Sequence, residues 1–154
     1  MRIAVVGSRD YPDVTEVAGL VSTFEPGTVV VSGGAPGPDT VAIEAAAWCD
    51  LPYEVIPADW SGPLKKKAGF ARNFDIVRGA DFVFAFWQGE SMGTAHSMNV
   101  ALRFNVPLIC VSDGVMLRNL DLLHRLAELD LKSGRKLSSL TFWDPKGGEP
   151  ADDA

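Results

Sequence analysis

Two glycine-rich turns in this chain have the composition of anion-binding sites. One covers residues 32–39 (Ser-Gly-Gly-Ala-Pro-Gly-Pro-Asp) and the other covers residues 89–94 (Gly-Glu-Ser-Met-Gly-Thr). Each follows a run of residues typical of a strand and opens a stretch typical of a helix. The first N–H groups of a helix have no partner within it, and the helix dipole adds partial positive charge there. The turns therefore predict a ligand that carries phosphate, held between them.

Four loops are predicted at the carboxyl ends of strands, where open parallel sheets bind their ligands. They cover residues 7–11, 33–39, 57–67 and 87–94. The first loop contributes Ser8 and Arg9. A guanidinium group can bind a phosphate or carboxylate through two parallel hydrogen bonds, or it can pair with Asp10 or Asp13. We favour ligand binding because the other loops lie at the same edge.

Arg72 and Asn73 can bind an anion and a sugar hydroxyl together from one turn of a helix. The alternative is a surface arginine beside a capping-type amide. Trp60 and Trp87 fall in loops at the presumed ligand edge, where either could stack on a base. A tryptophan at a strand end closes the core more often than it binds a ligand. Both roles remain open for these two residues.

The alternation of strands and helices predicts the elements that position these loops. Strands are predicted at residues 2–7, 28–32, 53–56, 81–86 and 107–111. Helices are predicted at residues 14–24, 39–48, 67–78 and 94–104, with Asp39 as a cap and Gly79 as a terminator. Strands that are apolar on both faces, each followed by a helix, indicate a parallel sheet covered on both sides. The fold class is therefore α/β, a three-layer Rossmann-like, doubly wound, mainly parallel sheet in a single domain.

The segment after Gly114 carries leucines at helical spacing, at positions 117, 120, 123, 126 and 129. It predicts a helix that covers one face of the sheet, and a self-association surface is the alternative. Residues 140–143 predict a last strand or docking segment. The domain is expected to cover residues 1–145, with a disordered tail at residues 146–154.

The composition of the chain limits its possible partners and its location in the cell. The chain has 154 residues and a net charge of −6, and this acidity argues against DNA or RNA as a partner. No apolar run reaches the roughly 20 residues that span a membrane, and the first apolar stretch is too short for a signal peptide. We therefore expect a cytoplasmic protein that does not bind membranes.

Cofactor and metal motifs are missing from the sequence. Neither Gly-x-Gly-x-x-Gly nor a phosphate-binding loop ending in Gly-Lys-Ser/Thr occurs, which disfavours an NAD-dependent dehydrogenase and an NTPase. Cys49 and Cys110 are expected to be buried thiols. Neither His96 nor His124 pairs with a cysteine at ligand spacing. No cofactor and no metal site are expected.

Five short motifs occur in order along the chain: Gly-Ser-Arg at 7–9, Gly-Gly-Ala-x-Gly-x-Asp at 33–39, Pro-x-x-Trp at 57–60, Ala-Gly-x-x-Arg-Asn at 68–73 and Ser-x-Gly-Thr-Ala at 91–95. Together they resemble the SLOG superfamily, named after the Smf/DprA proteins and the Lonely Guy enzymes. The pattern is most similar to the YspA-like, YpsA-related branch. The resemblance covers roughly residues 2–112.

This resemblance implies a Rossmann-like domain that binds nucleotides or nucleotide-derived ligands. The phosphate-binding glycines of the family correspond to Gly33, Gly34, Gly37 and Gly93, with Thr94 beside the last. Combined with the loops above, the predicted ligand-binding residues are Gly7, Ser8, Arg9, Gly33, Gly34, Ala35, Gly37, Asp39, Trp60, Arg72, Asn73, Trp87, Ser91, Gly93 and Thr94. The family also implies a homodimer.

Three functions follow from the branches of the superfamily. The Lonely Guy enzymes are nucleoside monophosphate phosphoribohydrolases, but their catalytic glutamate corresponds to Ser97. A hydrolase would need another carboxylate, such as Glu90 or Asp59. The DprA branch binds single-stranded DNA, against which we weigh the small size and acidity of this chain. The leading prediction is a sensor or carrier of a small phosphorylated nucleotide-like ligand, with phage or bacterial nucleotide signalling as an implied setting.

Overall fold

The strands and helices alternate along the chain, as the sequence predicts. The computed structural model describes residues 1–64, 67–88, 91–112 and 114–117. The strands are β1 (Arg2–Gly7), β2 (Val29–Ser32), β3 (Tyr53–Val55), β4 (Phe82–Phe86), β5 (Leu108–Ser112) and β6 (Val115–Leu117). The helices are α1 (Thr15–Val21), α2 (Pro38–Trp48), α3 (Ala68–Arg78) and α4 (Met92–Arg103).

The six strands form one sheet in the order β3-β2-β1-β4-β5-β6. All neighbouring pairs are parallel except β5 and β6. From β1 the chain winds outward to β2 and β3, and then crosses back to β4 on the other side of β1. The order of the strands therefore reverses between β1 and β4, where Gly7 lies opposite Phe86. This confirms the doubly wound, mainly parallel fold and places its switch point at the ends of these two strands.

Alternate residues of β1 face two different cores. Ile3 and Val5 belong to a cluster that includes Val17 of α1 and Ala42 of α2. Ala4 and Val6 belong to the opposite cluster, with residues of α3 and α4 such as Phe74 and Met98. Because successive side chains of a strand point to opposite faces, a wholly apolar strand is buried from both sides. The three-layer architecture is thereby confirmed.

The start of α2 differs from the sequence prediction, because Asp39 does not cap the helix. The N-cap is Gly37, at φ 90° and ψ −136°, and Pro38 occupies the first helical position. A Cβ on Gly37 would lie 2.8 Å from the carbonyl oxygen of Arg9, so the turn passes tightly beneath the loop after β1. Asp39 is thereby released for contacts across the sheet.

The end of the described chain also differs. Leu117, which was expected to begin a helix, is the last residue of β6 and lies opposite Cys110 in the antiparallel pair. A turn through Gly114, at φ 75°, returns the chain along β5. The other leucines of the predicted helix, residues 140–143 and the predicted tail lie outside the described residues.

Three further properties complete the description of the fold. Cys49 and Cys110 are both free thiols, but only Cys110, in β5, is buried as predicted; Cys49 follows α2 as its C-cap and is partly exposed. Among the described residues, no cluster of His, Cys, Asp and Glu is grouped to hold a metal ion. No helix in this part of the chain has the length and apolar character needed to cross a membrane.

Candidate functional site

A cavity of about 850 Å³ opens at the switch point, beyond the carboxyl ends of β1 and β4. It brings together residues from all but one of the predicted loops. The predicted site residues that line it are Gly7, Ser8, Arg9, Ala35, Asp39, Arg72, Asn73, Ser91, Gly93 and Thr94. The sheet topology brings together the residues that follow strands, because strand ends far apart in sequence meet on one side of the sheet, and α3 adds Arg72 and Asn73.

Ser8 joins the loop after β1 to the loop after β4. Its buried hydroxyl accepts a hydrogen bond from the backbone N–H of Gln88 at 2.9 Å and lies 3.4 Å from the hydroxyl of Thr94. Ser91 is the N-cap of α4, and its Oγ accepts from the backbone N–H of Thr94 at 3.5 Å. Its hydroxyl also lies 3.2 Å from that of Thr94. A linked row of hydroxyl groups therefore lies at the start of α4, where the helix dipole favours an anion.

Asp39 links the ends of β1 and β2. Its carboxylate accepts hydrogen bonds from the backbone N–H groups of Gly7 at 3.1 Å and Gly33 at 3.2 Å. Burial raises the pKa of Asp39 to about 6, against the opposing effects of the Arg72 charge and the backbone N–H groups of Ala35 and Gly33. The oxygens of Asp39 are thus committed to the protein backbone.

Arg72 and Asn73 connect the two glycine turns. Arg72 donates from Nη1 to the carbonyl oxygen of Gly33 at 2.8 Å and from Nε to Oδ1 of Asn73 at 2.9 Å. Asn73 in turn donates from Nδ2 to the carbonyl oxygen of Gly93 at 3.2 Å. Burial lowers the pKa of Arg72, the nearby charge of Arg9 acts in the same direction, and Asp39 opposes both. Both turns are therefore braced from one point on α3.

Arg9 is exposed at the mouth of the cavity. The alternative in which it pairs with Asp10 or Asp13 is not observed. Within the described part of the chain, an ion pair is observed between Arg2 and Glu54, which lie 2.8 Å apart. Arg2 is at the amino end of β1, away from the cavity. Asp10 also lines the cavity, so the mouth carries both signs of charge.

The two tryptophans predicted to contact ligand have different positions. Trp87 is completely buried, at 0% exposure, and its indole N–H donates to the carbonyl oxygen of Ser91 at 3.1 Å. It is a core residue, and the prediction of a stacking role is wrong for it. Trp60 is 58% exposed and its ring lies beside Gly69, just outside the cavity lining. The packing of the loops decides which tryptophan is buried, and the sequence does not show that packing.

The remaining predicted residues lie away from the cavity lining. Gly33, Gly34 and Gly37 form the turn beneath it, and Arg72 packs so closely on Gly33 that a Cβ there would lie 2.3 Å from Nη1. Asp59, proposed as a catalytic carboxylate, is exposed and accepts a hydrogen bond from Ser61 Oγ at 3.0 Å. Its position does not fit that role. Glu90, the other proposed catalytic residue, lies outside the described residues.

Sequence reasoning left Phe70 and Ser97 out of the predicted ligand-binding residues, although both line the cavity. Helical spacing could have found both. Phe70 lies three residues before Asn73 on α3, and Ser97 lies four residues after Gly93 on α4. Residues three or four apart share one face of a helix, so each follows from a predicted neighbour.

Comparison with solved structures defines the class of fold. The chain has the fold of DNA processing protein A from Helicobacter pylori, with a TM-score of 0.53 over 83% of this chain and 72% of that one, at 20% identity. At this level of identity the likeness shows a shared fold. No protein-family model matches the chain.

A curated relative identifies the family more narrowly. The Gene 61 protein of Mycobacterium phage D29 is 38% identical over 123 residues, which cover 73% of this chain and 97% of that protein. The chain belongs to the family of this phage protein.

These comparisons correct the function predicted from the sequence. The Helicobacter pylori protein is described as binding single-stranded DNA. This finding contradicts both the leading prediction of a small nucleotide-like ligand and the exclusion of nucleic acid. The exclusion was based on the charge of the whole chain, whereas binding depends on the groups at the site. Here Arg9, Arg72 and the start of α4 line a cavity that also contains Asp10 and Asp39, so the charge at the site differs from that of the acidic chain as a whole.

Proposed function

We propose that this protein binds single-stranded DNA, with phosphate groups of the strand held in the cavity at the ends of β1 and β4. The observation that carries this proposal is the exposed guanidinium group of Arg9 beside the N-terminus of α4, in one cavity. The likeness in fold to a protein described as binding single-stranded DNA supports it.

The donors of the cavity are arranged for a phosphate group. Arg9 lines the open side of the cavity, and Gly93 and Thr94 at the start of α4 line it together with the hydroxyl-bearing residues Ser8 and Ser91. Arg72 contributes positive charge from the cavity wall without leaving Gly33 and Asn73. Charged and neutral donors that converge in this way are typical of phosphate binding.

The shape of the site favours a single strand over a duplex. A concave cavity at the end of a sheet can receive a phosphate with the sugar and base attached to it. In a duplex the bases are stacked and paired in a stiff rod, whereas a flexible strand can bend its backbone into such a cavity. We therefore expect weaker binding to duplex DNA of the same length.

Fluorescence anisotropy with a labelled thymidine oligonucleotide tests the proposal. Arg9→Ala should weaken binding about tenfold at low salt, since it removes a charged hydrogen bond to phosphate. Arg2→Ala is the matched control, because Arg2 carries the same charge at the amino end of β1, away from the cavity. Its affinity should stay within about twofold of wild type. Failure of the wild-type protein to bind the oligonucleotide at low salt would refute the proposal.

We further propose that the protein falls in the YspA-like branch of the SLOG group, on the strength of the five motifs in order. A homodimer remains a prediction of that resemblance. Light scattering of the purified chain would give its mass in solution and test the dimer directly.

A further inference from the structure

Trp60 packs on Gly69 of α3 just outside the cavity lining, and Phe70, the residue after Gly69, lies in that lining. The ring of Trp60 lies against α3 so closely that a Cβ on Gly69 would be 2.9 Å from its Cη2 atom. Gly69 and Phe70 both line the cavity. We call Trp60 and Phe70 together the aromatic ledge.

The two rings of the ledge are held differently from an ordinary surface side chain. Trp60 is 58% exposed although its ring tip is seated on the helix. Phe70 packs against the buried ring of His96, with a centroid distance of 4.7 Å and a tilt of 36°. A large aromatic ring that stays open to water while its position is supported is suited to stacking on another flat ring.

We propose that the aromatic ledge binds unpaired bases of the DNA strand whose phosphates occupy the cavity, with Trp60 as the principal stacking residue. The inference rests on the proposed function and extends it from the phosphates to the bases. Stacking accepts any base, since each has a flat aromatic face, so the ledge adds affinity without selecting a sequence. It also requires unpaired bases, which a duplex does not offer.

Trp48 provides a matched control for Trp60. It is 90% exposed at the end of α2, the helix that packs on the other face of the sheet, and it does not line the cavity. Trp60→Ala should weaken binding to a thymidine oligonucleotide about tenfold, and Trp60→Phe should recover much of that loss. Trp48→Ala should bind within about twofold of wild type. Both tryptophans are exposed, so neither change should alter the thermal unfolding midpoint greatly.

An abasic oligonucleotide separates the bases from the phosphates. Wild type should bind an oligonucleotide of deoxyribose phosphates without bases about as weakly as Trp60→Ala binds the thymidine strand. Trp60→Ala should lose little further affinity for the abasic strand, because the two changes remove the same contact. Intrinsic fluorescence adds a second readout: quenching by the thymidine strand should persist in Trp48→Phe and fall sharply in Trp60→Phe.

Gly69→Ala tests the support of the ring without altering either aromatic side chain. The added Cβ must displace the Trp60 ring, while alanine is favoured over glycine within a helix. We expect weaker binding by a protein that is at least as stable as wild type.

The outcomes distinguish the ledge from the proposed function. Equal affinities of wild type and Trp60→Ala for the thymidine strand would overturn the ledge and leave phosphate binding intact. Additive losses from Trp60→Ala and the abasic strand would also overturn it. Absence of binding by wild type to either strand would remove the proposed function itself.

Discussion

The Nε atom of Arg72 donates a hydrogen bond to Oδ1 of Asn73 at 2.9 Å, and these neighbours then reach in opposite directions. Arg72 contacts the carbonyl oxygen of Gly33, and Asn73 contacts that of Gly93. The two glycine turns, which belong to different strand ends, are thereby held at a constant separation. The pair acts first as a brace for the walls of the cavity.

Asn73→Asp should separate the two hydrogen bonds that Asn73 makes, one with Arg72 and one with Gly93. The acid keeps an acceptor for Arg72 but replaces the donor to Gly93 with a carboxylate that faces a carbonyl oxygen. We expect a loss of about 1–3 kcal/mol in the free energy of unfolding, since a buried hydrogen bond becomes a repulsive contact. Urea unfolding would measure it. An unchanged stability would mean that the contact with Gly93 contributes little to the brace.

Gly33→Ala should displace the guanidinium group of Arg72, because the new Cβ would lie 2.3 Å from Nη1. We expect weaker binding to single-stranded DNA and a stability loss of about 0.5–1.5 kcal/mol from the broken hydrogen bond. Gly19→Ala is the control, since a Cβ on this exposed residue of α1 meets nothing within 4 Å. That change should stabilise the protein by about 0.5–1 kcal/mol and leave binding unaltered. Equal effects of the two substitutions on binding would contradict the predicted role of Gly33.

The stability of the protein should depend on pH through two buried groups with opposite signs. Burial lowers the pKa of His96 from 6.5 to about 4, so His96 destabilises the fold increasingly as the pH falls from 6.5 to 4. Burial raises the pKa of Asp39 from 3.8 to about 6, so its contribution to stability is present at low pH and is lost as the pH rises through 6. Each effect is of the order of 3 kcal/mol, and they nearly cancel between pH 4 and 6.

Removal of either Asp39 or His96 should reveal the pH dependence of stability that the other residue contributes. Asp39→Asn should lose stability on acidification from pH 6.5 to 4, with a slope of up to about 1.4 kcal/mol per pH unit. His96→Leu should instead gain stability over the same range, because the opposing contribution of His96 is then absent. Urea unfolding at a series of pH values checks both. Parallel pH profiles for wild type and both variants would show that these groups do not titrate as their burial indicates.

Trp87→Phe should destabilise the fold while Trp60→Phe should not. The smaller ring leaves part of a fully buried volume empty and removes the hydrogen bond from the indole N–H to Ser91. The expected loss is about 1–3 kcal/mol, measured by thermal or urea unfolding. The reverse order of stability would place Trp87 at the surface and contradict the structure.

The sequence alone determined the layout of the fold and the edge at which the site lies. Apolar runs such as β1 and the amphipathic stretches between them are local patterns, and a parallel sheet built from them brings its strand ends to one side. Arg9 and Thr94, which follow strands, could therefore be assigned to one site from the sequence, whereas the assignment of Asn73, on α3, came from the family resemblance. Phe70 and Ser97 were within reach of the same reasoning through helical spacing.

Only the tertiary structure decided what each residue does at that edge. It placed Trp87 in the core and Trp60 at the surface. It showed that Asp39 links β1 to β2 by hydrogen bonds and does not cap a helix. It also showed that Leu117 pairs with β5 as part of β6 and does not begin a helix. It also brought Arg9 and Arg72 into one cavity of an acidic chain, beside Asp10 and Asp39. Burial, long-range hydrogen bonds and local electric fields depend on which segments meet, and residues distant in sequence carry no local signal of their meeting.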